Sequence, residues 1–241
     1  MAIWKNGVMA VSMVLSLGCM TTMGLLAAEE EDLLFYASFD TSVNADWSAG
    51  EAAGIFNGNQ AKLQWDKASA SQNDPLLKLV PGVRGNGMVS GVDGQVVYYR
   101  AENNINPDAW TITFWVSALN GENFLAGDKS HQQLFEMHGR GWTRFYKYDR
   151  RANLWLLTTT TKNKKTVHQK LNVSSRLALD EWNFIALTYR KNAGVAVYIN
   201  GELDSRNTGY VPIQSPQWLR VGQSFGGDRE ANRIIDEFRI Y

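Results

Sequence analysis

The chain has one cysteine, Cys19, and it stands inside an apolar leader. The rest of the chain therefore holds no thiol, which excludes disulfide stapling and leaves burial, alone or with a metal, to hold the fold. Histidine is scarce as well. His131, His138 and His168 have no set of further ligands at zinc spacing, so a zinc centre is not indicated. Excess charge is absent: 24 Lys and Arg balance 24 Asp and Glu. The basic residues are scattered apart from "KNKK" at 162–165, which reads as a solvated turn between two strands. Such a chain makes no electrostatic case for nucleic acid. No stretch after the leader sustains a helical period. With no helix beside them, Gly85, Gly87, Gly222, Gly226 and Gly227 read as turns and bulges, not as a phosphate cradle. There is also no Glu-x-Asp-x-Glu run, the spacing by which one strand face sets two glycosidase carboxylates about 5 Å apart.

Lys5 precedes an uncharged, mostly apolar run from Val8 to Ala28, and "EEED" comes directly after it. A basic start, an apolar stretch and a small-residue exit predict a signal peptide over residues 1–28, cleaved after Ala28. The remaining domain, 29–241, is then secreted, periplasmic or held at the cell envelope. Two alternatives stay open. A run of about 20 apolar residues is long enough to anchor in a bilayer if it is not cleaved, and Cys19 after "SLG" is a lipid-attachment candidate, although Ser16 and Leu17 fit that pattern poorly. Membrane contact is expected only through this segment. Roughly 210 residues remain, enough for one domain with a full core.

The mature portion alternates. In "GVAVYINGEL", Val195, Val197 and Ile199 share one face, and Asn200-Gly201 supplies the two positive-φ positions of a two-residue hairpin turn. "LLFYASFD" puts Leu33, Phe35, Ala37 and Phe39 together, and "WTITFWVS" does the same for Trp110, Ile112, Phe114 and Val116. "QQLFEMHG" sets Phe135 and Met137 against Leu134, Glu136 and His138. "EWNFIALTYR" alternates Phe184 and Ala186 with Ile185, Leu187 and Tyr189. About a dozen candidate strands with turn signals between them predict an all-β, two-sheet antiparallel sandwich, with Phe39, Phe114, Phe184 and Val197 in its filling. Between Gly50 and Arg84 the pattern weakens into a loop-rich or edge region.

The order of segments resembles a known family. "LLFYASFD", "PGVRGNGM" (81–88), "WTITFWVS", "EWNFIALTYRKNAGVAVYINGEL" (181–203), "LRVGQSFGG" (219–227) and "IIDEFRIY" (234–241) succeed one another as in laminin-G-like jelly rolls of the concanavalin A-like lectin/glucanase superfamily. The resemblance implies a concanavalin A-like jelly roll, a glycan or a surface or matrix protein as partner, and in some relatives polysaccharide cleavage in the groove of a concave sheet. Fold alone does not choose among these.

Parity in the middle strands offers a candidate surface. With Phe135, Met137 and Phe145 inward, Glu136 and His138 share the opposite face with Arg144, Tyr146 and Tyr148, and Trp155 joins them if Leu154 and Leu156 point inward. Rings for stacking and charges for hydroxyls make this a ligand-binding strip. The plainer reading is ordinary cross-strand pairing, and the enzymatic one is a lyase or hydrolase working across the same side chains. No residue is assigned a catalytic role. By resemblance, a structural calcium is expected at Asp40 and Asp236, which parity places beside Phe238 and Ile240 on a core-facing register. An Asp236 that accepts N–H bonds from a loop is the alternative.

Overall fold

A computed structural model of the chain describes residues 32–57, 77–90, 96–118, 132–148, 153–162, 165–175, 177, 181–222 and 233–241, without the side chains of 56, 57, 118, 132, 147, 148, 153 and 162. The expected leader with Cys19, and His131, Gly226 and Gly227, lie outside the described residues. Every regular element among them is a strand. Nine strands build one sheet in the order β14 (Glu202–Asn207), β13 (Gly194–Ile199), β12 (Asn183–Arg190), β7 (Ala109–Ala118), β16 (Arg233–Ile240), β1 (Phe35–Ala37) and β2 (Trp47–Ser48). β5 (Asn86–Ser90) also lies on β16, and β4 (Leu79–Pro81) pairs with β5. The other sheet runs β11 (Lys165–Val173), β10 (Asn153–Lys162), β9 (Gly141–Tyr148), β8 (Gln132–Gly139), β15 (Pro216–Gly222), β6 (Val96–Arg100) and β3 (Ile55–Asn57). The pairings are antiparallel. This is a jelly-roll sandwich.

The period-two faces close on each other. Trp110, Ile112, Phe114 and Val116 from β7 and Ile185, Leu187 and Tyr189 from β12 meet Phe135, Met137, Phe145, Leu154 and Leu156 of the facing sheet. Rings interlock across the gap: Phe114 meets Phe145 edge-on at 6.4 Å and stacks on Phe238 at 5.9 Å. Burial of each such side chain contributes about 1.5–3 kcal/mol. The hairpin forms as its residues dictate, with Asn200 at φ 52° and Gly201 at φ 86° between β13 and β14.

Parity fails at three places. Phe184 is not in the filling. It lies half-buried on the outer face against Trp115, ring centroids 5.2 Å apart, because β12 turns Ile185, Leu187 and Tyr189 inward. Leu134, expected outside, is fully buried, since a bulge between Gln133 and Phe135 sends two successive side chains to the core. In β16 a bulge between Asp236 and Arg239, with Glu237 at φ 53°, resets the alternation: Ile235 faces the core before it, Phe238 and Ile240 after it. Asp236 is therefore not on the face of Phe238 and Ile240. His168 sits within β11 opposite Thr159.

Candidate functional site

The outer face of the seven-stranded sheet is a grid set by strand register. One row runs Arg144 (β9), Glu136 (β8), Arg220 (β15), Tyr98 (β6). The next runs Thr159 (β10), Trp142 (β9), His138 (β8), Trp218 (β15), Arg100 (β6). A third pairs Tyr146 with Trp155, edge to face at 6.1 Å. Glu136, His138, Arg144, Tyr146 and Trp155 thus share one face, as alternation predicts. Tyr148 ends β9, and its side chain is outside the described ones.

Glu136 is the centre of the grid. Its side chain is 0% exposed although it points away from the core, because Arg144 hydrogen-bonds one carboxylate oxygen and Arg220 Nη1 approaches the other at 2.9 Å. His138 Nδ1 stands 3.3 Å from that second oxygen. Burial pushes the Glu136 carboxyl up, but the neighbouring His138 imidazole and the two guanidinium charges more than offset it and hold it below its ordinary value. The Arg144 and Arg220 side chains are only 13% and 14% exposed, whereas that of His138 is 37% exposed.

The rings are occupied. Arg144 lies 3.7 Å over Trp142, Arg100 3.7 Å over Trp218, Arg220 5.1 Å over Tyr98, and Lys170 sits on Trp155. A guanidinium laid on a ring covers the surface a sugar would use. The strip is a laminated layer of cations and aromatics, not an open stacking platform. Sequence reasoning missed Trp142, Arg220, Trp218, Arg100 and Tyr98. "GWTRFY" carried a parity signal for Trp142, and "QWLRVG" one for Trp218 and Arg220. That β15 pairs with β8 is a long-range fact that neither stretch contains.

At the end of this grid lies an open cleft of about 650 Å³ between the β6–β7 and β14–β15 connections, with Trp218 and Arg100 on its border. Its walls are fixed. Buried Asn104 donates to the carbonyls of Glu51 (2.9 Å) and Arg100 (3.0 Å) and accepts from Ser48 Oγ (2.7 Å) and Gly50 N (2.9 Å), so all its polar capacity is used. Opposite, Ile213 N donates to Thr143 Oγ1 at 3.0 Å, and Thr158 Oγ1 donates to Tyr210 Oη at 2.9 Å. Gly139 is needed where β8 passes under this wall: a Cβ there would stand 2.3 Å from the Ser215 carbonyl.

Asp40 and Asp236 do come together, on a different object. Asp236 Oδ2 accepts from Val83 N (2.7 Å) and Arg84 N (3.1 Å), and Asp40 Oδ1 accepts from Asn86 N (2.8 Å), so the two carboxylates clasp the β4–β5 turn. Gly85, at φ +57°, packs so closely that a Cβ would lie 1.8 Å from Asp40 Oδ1. This is the N–H-accepting alternative for Asp236. Among the described residues no three His, Cys, Asp or Glu gather as a metal cluster; each acid spends one oxygen on backbone amides, so the pair would supply two of the six to eight oxygens that calcium takes, and the remainder would have to come from carbonyls or water.

A two-sheet antiparallel jelly roll whose first and last described strands pair defines the lectin-like sandwich class. The laminin G 3 family model, described as the concanavalin A-like lectin/glucanases superfamily, matches residues 90–241, and the chain belongs to this family. It is 25% identical over 138 residues to botulinum neurotoxin type X of Clostridium botulinum, covering 56% of this chain and 10% of the toxin. The chain thus spans about a tenth of that curated relative. Among solved structures it is similar to domain 4 of AbnA, a GH43 extracellular arabinanase from Geobacillus stearothermophilus, in complex with arabinotriose. That likeness has a TM-score of 0.61 at 17% identity and covers 88% of this chain and 93% of that one. The binding domain of botulinum neurotoxin DC in complex with SialylT matches at TM-score 0.58 and 16% identity, over 86% of this chain and 46% of that chain. The same toxin domain has been solved with rat synaptotagmin II.

Proposed function

We propose that the chain is an exported, non-catalytic binding module for a glycan or a cell-surface or matrix partner, engaged on the outer face of the seven-stranded sheet. The observation that carries this reading is the grid itself: a caged Glu136 fixes Arg144 and Arg220, and strand register sets the partly exposed His138 between Trp142 and Trp218, 3.3 Å from the same carboxylate. Preorganised polar groups beside a cleft suit recognition. The relatives point the same way, since AbnA domain 4 was solved with arabinotriose and the toxin domain with SialylT and with synaptotagmin II. Export rests on the apolar leader.

Cleavage is the weaker reading on physical grounds. A general acid or base must reach the proton it moves. Glu136 is sealed between two guanidiniums and stays ionised, and Tyr146 is buried. The test is a glycan array with the full chain, alongside reducing-sugar and unsaturated-product assays. Retained binding without product supports the module; product that disappears in His138→Ala and Tyr146→Phe would establish an enzyme instead. Structural calcium at Asp40 and Asp236 is a separate proposal. Its support is Asp236 Oδ1, buried and accepting no hydrogen bond among the described residues. Calorimetry on chelator-treated protein decides it: no heat and no rise in melting temperature at millimolar calcium disposes of the ion.

A further inference from the structure

The cleft beside Trp218 differs from the strip in its lining. The strip's rings are covered by cations and its carboxylate is sealed, so the group the grid presents to a ligand is chiefly the partly exposed His138. The cleft is open and of mixed character. Ile105, Pro107 and Pro216 give it apolar walls, while Asn103, Gln214 and Gln217 bring side-chain amides. Among the described residues, its charged lining is one cation, Arg100, and one anion, Glu102. Arg100 also lies 3.8 Å from Glu51, both side chains about half exposed.

A site for an acidic ligand carries surplus positive charge, and a site for a cation surplus negative charge. The described lining of this cleft carries no positive surplus, and its guanidinium is laid on Trp218 and faces Glu51. Amides, a hydroxyl from Ser215 and paired charges next to apolar walls match a ligand with C–H faces and many neutral hydroxyls. About 650 Å³ lies within the ~300–1,000 Å³ of small-ligand sites, the scale of an oligosaccharide end. Rigidity favours the same use: Gln214 Nε2 is held on the Pro212 carbonyl at 2.9 Å, and Ala101 N on the Gln217 carbonyl at 3.1 Å, which ties the two walls together.

We infer that the cleft between the β6–β7 and β14–β15 connections is a saccharide subsite that takes the end of a neutral oligosaccharide. Asn103, Gln214, Gln217 and Glu102 meet its hydroxyls, and Pro107 and Pro216 line its apolar side. The inference rests on the binding-module reading and deepens it from a face to a site and from any glycan to an uncharged one.

The experiment titrates the full chain with neutral pentose and hexose trisaccharides and with uronic and sulfated counterparts, at about 50 and 500 mM salt. Neutral sugars are expected to bind with little salt dependence. Glu102→Ala and Gln217→Ala, both at exposed positions, are expected to weaken binding about tenfold each with unchanged melting temperature. Preference for acidic sugars, or binding that collapses at high salt, overturns the inference. So does binding that survives both substitutions but is lost in His138→Ala; that outcome leaves the module and moves the ligand back to the strip. If no saccharide binds at all, the inference and the glycan half of the module reading fail together, and only a protein partner remains.

Discussion

Two buried carboxylates, one on each sheet, are treated in opposite ways. Glu136 and Asp236 are both 0% exposed. The partners of Glu136 are cations, Arg144 and Arg220, with His138 alongside, and its carboxyl is held below the ordinary value. The partners of Asp236 are the backbone N–H groups of Val83 and Arg84. Burial pushes its carboxyl up, and those amides offset the push only in part. Desolvation is the largest influence on both. What differs is whether the compensation carries full charge or only dipoles. The seven-stranded sheet thus has an ion cluster whose members need one another, and the nine-stranded sheet has an acid whose job is to hold a turn.

The comparison is broken most severely by neutralising Glu136. Glu136→Gln strands two nearly buried guanidiniums, and breaking a buried pair in this way costs roughly 3–5 kcal/mol. Urea unfolding measures it. Replacing Glu136, Arg144 and Arg220 together by apolar residues of similar size is expected to recover most of that loss, which locates the cost in stranded charge and not in lost packing. Gly85→Ala attacks the other carboxylate pair through its turn. The new Cβ displaces Asp40 Oδ1 from Asn86 N and forces a β-carbon into a left-handed conformation, at about 1–3 kcal/mol. Asp236→Asn is the mildest. Its amide oxygen still accepts from Val83 and Arg84, and removal of a desolvated charge offsets the unpaired amide N–H left at the Oδ1 position, so stability moves by less than about 1 kcal/mol. A large loss here together with a small one in Glu136→Gln would invert the comparison.

Alternation alone carried the two sheets, the core faces of β1, β7 and β13, and the sharing of one face by Glu136, His138, Arg144, Tyr146 and Trp155. It carried no more where a bulge adds a residue. Nothing in "QQLFEM" or "IIDEFRIY" marks the extra residue, because Leu134 is as apolar as Phe135, and Phe238 and Ile240 flank Arg239 as they would in an unbroken strand. Phe184 and Ile185 are both apolar, so the inward one is chosen by what β7 and β13 present, a property of pairing and not of β12. The cleft was illegible for another reason. Two connections without periodicity build it, and the long-range adjacency of β15 to β6 and β8 joins it to the grid.

The smallest expected effect is the most specific, because pH should move the two carboxylates in opposite senses. Glu136 titrates below its ordinary value of 4.5 in the fold. The stability it contributes is complete above the unfolded value and is lost as pH falls through the lower folded value. Asp236 titrates above its ordinary value of 3.8. Its ionised form is therefore a cost in the fold, and that cost is relieved as pH falls through the raised folded value toward the unfolded one. Gln and Asn stand for the uncharged forms at every pH. Melting temperatures taken from about pH 6 to 3 should show the wild type losing its lead over Glu136→Gln as acid is added, while it gains on Asp236→Asn over the upper part of that range. A wild type that loses ground to both variants as acid is added would mean that Asp236 too is held by a full charge, which the amides of Val83 and Arg84 cannot supply.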